Sequence, residues 1–99
     1  MKEFIVGPAV LFKDRKFHPE QPLNIAVGFV VQGFRHFNCH ETYRILTGEV
    51  VTEENYVEGF ITNKFRFLNR RKAYIIAVEA EQVLFTIDKK VELFSTDLY

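Results

Sequence analysis

Apolar and polar positions change their period several times along the chain, and each change marks an element. Residues 3–12, EFIVGPAVLF, are apolar at most positions and are interrupted by Gly7-Pro8. Proline cannot donate to a sheet ladder, so this first extended segment is expected at an edge or a bulge, with a short helix over 8–12 as the alternative. Lys13-Asp14-Arg15-Lys16 reads as a charged, solvated turn, and His18-Pro19-Glu20-Gln21-Pro22 as a connector that its prolines hold extended. Residues 25–34, IAVGFVVQGF, are almost continuously apolar, the pattern of a central strand. The period then predicts a helix from about Cys39 to Leu46, stopped by Gly48. A loop over 49–57 leads to a third strand, 58–67, EGFITNKFRF. Ala73, Ile76, Ala77, Ala80 and Val83/Leu84 recur at helical spacing and give one apolar face to a helix from about Arg70 to Gln82. Residues 91–94 read as a last short strand, and Leu98 and Tyr99 as tail residues that dock.

Part of this pattern occurs twice. Residues 28–46 and 59–77 align without gaps and share seven identities: Gly28/Gly59, Phe29/Phe60, Phe34/Phe65, Arg35/Arg66, Asn38/Asn69, Tyr43/Tyr74 and Ile45/Ile76. Self-similarity at a fixed offset marks a repeated structural unit, here strand, turn and helix. Asn38 and Asn69 are expected as helix N-caps, and Glu41 completes a capping box in the first copy only. The element order is then β–β–α–β–α–β in a single domain, 1–99. The expected fold is α+β: a small mixed or antiparallel sheet, two helices on one face, built around the repeated unit. If the other sheet face is also apolar, a second subunit must cover it.

Composition narrows the classes. A chain of 99 residues supports one core, and 47% hydrophobic residues make it globular. Thirteen basic and thirteen acidic residues cancel, which argues against a nucleic-acid polymer as partner, since that needs a broad basic surface. Eleven Phe exceed what so small a core buries, so at least a symmetric dimer is expected. No apolar run approaches the ~20 residues of a membrane span. The first ten residues, with an acid at position 3 and Gly7-Pro8, do not resemble a signal peptide. The single Cys39 forms no internal disulfide and fits a reducing cytoplasm.

The chemistry concentrates at the two junctions. Arg35 and Arg66 lie just before two helix starts, and the second helix opens Asn69-Arg70-Arg71-Lys72. Cations are unfavourable at a helix N-terminus by about 0.3–1 kcal/mol each. Either a bound anion such as phosphate resolves the conflict, or the cations splay into water or pair with carboxylates such as Glu54 or Glu58. His36, Cys39 and His40 offer three zinc ligands at most, so no zinc is expected. A Cys39–His nucleophilic pair lacks any acyl-transfer signature around it. No phosphate-loop, dinucleotide-binding or zinc-protease motif is present, so the residues alone support neither an enzyme nor a cofactor.

The motifs H-P-E-Q-P-x-N-I at 18–25, G-F-V-V-x-G-x-R-H-x-N-C at 28–39, G-F-I-T-x-x-x-R-F-x-N-R-x-x-A at 59–73 and S-x-D-L-Y at 95–99 resemble small proteins of phages and prophages. Their pattern is similar to that of the first Thoeris anti-defence family. That resemblance implies an oligomeric binding protein that holds cyclic ADP-ribose isomers, or related cyclic oligonucleotides, without degrading them. The expected ligand-binding residues are Arg35, His36, Asn38, Phe60, Arg66, Asn69, Arg70 and Arg71, arginines gripping phosphate and an aromatic ring stacking on a base. The alternative is an inhibitor that docks on a host defence protein through an exposed aromatic surface. A nucleotide-cleaving enzyme is a third, weaker reading.

Overall fold

The two-residue period of the strands sorts side chains onto two sheet faces, and the whole architecture follows from what covers each. The computed structural model describes residues 2–14, 16–84 and 92–99. Strand β1 (Ile5–Phe12) is flanked by β2 (Phe29–Gln32) and β3 (Tyr56–Thr62), and β4 (Phe67–Asn69) pairs with β3. The order is β2-β1-β3-β4, antiparallel throughout. Helices α1 (His36–Thr47) and α2 (Arg70–Glu79) cover one face, so the fold is α+β as expected. Val10, Phe12 and Val31 meet Cys39 of α1, while Ile5, Phe60 and Leu68 meet Ala73 and Ala77 of α2. The two alanines leave room for the helix to approach the sheet closely.

Gly7-Pro8 marks a bulge, but not an edge. The register with β3 slips between Ile5 and Gly7, leaving Val6 as the extra residue. That slip turns Ile5 onto the helix-covered face beside Phe60, which strict alternation would deny it. The β2 ladder stops at Ala9↔Gln32, one residue short of Pro8, so β1 holds the centre despite its proline. The 25–34 stretch accordingly supplies an edge strand, not a central one.

Its apolar character is explained by the opposite face. Ala9, Ile61 and Phe67 are buried there, with Leu11, Ile25, Val30 and Val57 against them. The connector forms the cover. Gln21 Oε1 accepts from the Val30 N–H on the β2 edge (2.8 Å). Asn24 receives the Phe67 N–H (2.8 Å) and donates to the Phe67 carbonyl (2.6 Å) on the β4 edge. A strap of the same chain thus does work that the sequence pattern assigned to a second subunit, and it blunts both sheet edges.

The two repeat copies diverge after their strands. β2 and the equivalent part of β3 lie on either side of β1. In the first copy the chain then enters α1 at His36, three residues earlier than expected, with Arg35 in extended conformation as N-cap. Asn38 is not the cap; its Oδ1 accepts the Arg35 N–H from inside the first turn (3.0 Å). Glu41 pairs with Arg44 instead of completing a box. In the second copy the expected strand 58–67 is a hairpin: β3 ends at Thr62, the chain turns through Phe65 at φ 56, and β4 runs into α2 at the expected cap, Asn69.

Helix α1 closes at Gly48 (φ 75), as expected. α2 ends at Glu79, short of Gln82. The turn beyond it places the Gln82 amide on both the N–H and carbonyl of Ile5 (2.7 and 2.8 Å). Of the strand expected over 91–94, residue 91 lies outside the described residues. Residues 92–94 form no strand; Leu93 is fully buried, its N–H bound to the Arg70 carbonyl (3.0 Å). Leu98 packs on the core and Tyr99 docks on Phe34 and Arg35, just before α1, as expected.

Candidate functional site

β4 passes into α2 without a loop, so the cations of 66–72 sit on one corner of the fold. Asn69 caps the helix, accepting the Lys72 N–H (2.9 Å). A groove of about 530 Å³ opens between β4 and α2. Its polar lining is Arg66, Lys72, Asn69 and Asn24. Phe67, Leu68, Ile75 and Ile76 make the apolar remainder. Cation and amide on one side, hydrocarbon on the other, is the composition of a small-ligand site.

The cation crowding read from the sequence is largely answered within the chain. Arg66 Nε and Nη2 donate to the two oxygens of Glu3 (2.8 and 2.6 Å). That bidentate hydrogen bonding holds the Glu3 carboxyl down at about 2, against a burial effect of opposite sign; Thr62 adds a further hydrogen bond. Arg70 donates to Glu58 Oε1 (2.8 Å) and to the Leu93 carbonyl (2.8 Å), and lies over the Phe94 ring. Of the carboxylates named from the sequence, Glu58 makes this pairing. Removing Arg66 or Arg70 would strip a partly buried carboxylate of its partner, so neither is a clean probe of ligand binding. Lys72 and Arg71 make no ion pair among the described residues.

The two helix starts converge on Glu58. Its second oxygen accepts from His40 Nε2 (2.9 Å), and Arg70 Nη2 lies 3.4 Å from His36 Nδ1. Burial works to raise the Glu58 pKa, but the Arg70 and His40 hydrogen bonds prevail and hold it below the usual carboxylate value. His36 donates from Nε2 to the Gly59 carbonyl (2.8 Å), which leaves Nδ1 as the unprotonated acceptor. Burial lowers the His36 pKa, so the ring is neutral in the fold.

The expected site residues therefore separate. Asn69 and Arg66 line the groove; Arg70 and Arg71 border a second recess with Glu58 and Glu92. Arg35 is held away from both, stacked against Phe34 and Tyr99 and donating to the Tyr99 carbonyl (2.7 Å). His36 is buried and Asn38 serves α1. Phe60 is fully buried, edge-on to His36, and has no face on which a base could stack. Cys39 is also fully buried, and burial pushes its thiol up to about 11, which removes the nucleophile considered above. Asn24, Lys72 and Ile75 were missed as site residues. Asn24 stood in the H-P-E-Q-P-x-N-I motif and Lys72 in the cation run, but only the strap brings Asn24 to α2.

No helix among the described residues is long and apolar enough to cross a membrane. Comparisons with curated proteins and with solved structures find no match. A family model matches over residues 4–99, which takes in every element of the described residues from β1 to the last turn. It is a phage family, as the motifs implied: the chain belongs to the Phage T4 y16D protein family.

Proposed function

We propose that this phage protein binds a small phosphorylated nucleotide in the groove between β4 and α2 and sequesters it intact. The observation that carries this is the groove itself: Lys72 in the first turn of α2, without an ion pair among the described residues, Arg66 on the same groove, and an apolar wall from Ile75 and Ile76. Lys72 and the exposed side of Arg66 suit phosphate oxygens. The Asn24 and Asn69 amides offer polar contacts, and the isoleucines a surface for a base or ribose. Sequestration fits better than cleavage because the described lining holds no carboxylate, histidine or cysteine to act as base or nucleophile. The resemblance to the anti-defence family narrows the ligand to a cyclic nucleotide immune signal, a cyclic ADP-ribose isomer or a cyclic oligonucleotide, met in the cytoplasm of the bacterial host.

Calorimetric titration with cyclic ADP-ribose isomers and cyclic di- and trinucleotides tests this. Lys72→Ala is expected to weaken binding by about 1.5–3 kcal/mol, the scale of a charged hydrogen bond, and to leave thermal stability unchanged. Equal affinity in wild type and variant would remove the ligand from this groove.

A further inference from the structure

The groove between β4 and α2 is rich in hydrogen-bond donors and poor in acceptors. Lys72 brings an ammonium group, which only donates, and makes no ion pair among the described residues. Arg66 commits Nε and Nη2 to Glu3 and keeps Nη1 to donate. Asn69 keeps its Nδ2 donors, but its Oδ1 already accepts the Lys72 backbone N–H (2.9 Å). Asn24 turns its amide onto the Phe67 backbone, accepting at Oδ1 (2.8 Å) and donating from Nδ2 (2.6 Å). These two amides hold the side-chain oxygens of the described lining, and each oxygen is bonded within the chain. Glu3, the partner of Arg66, has both oxygens engaged by Arg66 and Thr62. Where the apolar wall is open it is aliphatic: Ile75 is 57% exposed, whereas Phe67 is buried and gives no ring face.

Donors without acceptors select a ligand. Phosphate oxygens only accept, so they match the lining. Every base also carries N–H donors on its pairing edge. Buried here, those donors would lose water and find no free side-chain oxygen, which costs free energy. The pairing edge is therefore best left in water, with the flat of the base or the ribose resting on Ile75. That contact is much the same for every base. Building on the reading that the groove holds a phosphorylated nucleotide, we propose that it reads the phosphates and is blind to the base.

Calorimetry with cyclic di-AMP, cyclic di-GMP and cyclic di-UMP, which differ only in their bases, tests this. Wild type is expected to bind all three with affinities within about threefold of one another. Lys72→Ala should weaken each by about tenfold or more. Inorganic tripolyphosphate should displace all three, and adenosine, a base and ribose without phosphate, should displace none. Binding that needs Lys72 but differs by about tenfold or more among the three bases would overturn base blindness and leave the groove as the site. Displacement by adenosine would do the same. Affinities untouched by Lys72→Ala, or no binding of any probe, would overturn this proposal together with the nucleotide reading.

Discussion

Arg66 and Arg70 show how a charge pattern can be legible in the sequence while its partners stay open between a bound anion and carboxylates of the same chain. Four cations near one helix start call for an anion, and two anions, Glu3 and Glu58, arrive from β1's approach and from β3. Only the folded chain brings residue 3 to residue 66. These same groups set the acid response. His36 has a folded pKa below its ordinary value, so the unfolded state takes up protons first and stability falls as pH drops below about 6.5. Glu58 and Glu3 have folded pKa values below the usual carboxylate value. Their contributions are complete above about 4.5 and are lost as pH falls further, for Glu3 down to about 2. Thermal unfolding against pH should therefore show a shallow decline between 6.5 and 4.5 and a steeper one below. Glu3→Gln should flatten the steep limb, and a wild-type curve level from 6.5 to 3 would contradict these assignments.

At the scale of elements, the repeat was legible and its meaning only half so. Gly28 and Gly59 align, yet they are glycine for different reasons. Gly28 adopts φ 101, which side chains avoid, whereas a Cβ on Gly59 would run into the Leu68 carbonyl oxygen and the Phe67 ring. Gly59→Ala should thus force β3 and β4 apart and cost about 3 kcal/mol or more in denaturant unfolding. Gly48→Ala, strained in backbone but open in space, should cost only about 1 kcal/mol. Equal small losses at both would mean that β4 yields easily. Helix α2, its Asn69 cap and the Gly48 stop could be read from local signals, because capping is local chemistry. The β3–β4 hairpin could not, since its turn carries Phe65 in the left-handed region where glycine or asparagine would have announced it. β1 at the centre was hidden by Pro8, and the strap by its likeness to a plain connector. Asn24 and Gln21 act through hydrogen bonds to strands 43 and 9 residues away, which no short-range pattern encodes.

For the whole molecule, the sheet splits its duties by side. One face and its helices make the core, the strap seals the other, and the corner where strap, β4 and α2 meet is left as an open groove. The outer face of α1 stays exposed, with Phe37 and Ile45 on it. Affinity for a nucleotide would then rest on Lys72 and the apolar wall, with Arg66 lending charge while staying tied to Glu3. The most direct measurement is a mass spectrum of small molecules released by heat from protein purified out of bacteria that produce a cyclic nucleotide immune signal. The expected result is one intact cyclic nucleotide from wild type, and far less of it from Lys72→Glu purified in parallel. Release of a cleaved product, of no nucleotide at all, or of equal amounts from both proteins would contradict sequestration in this groove.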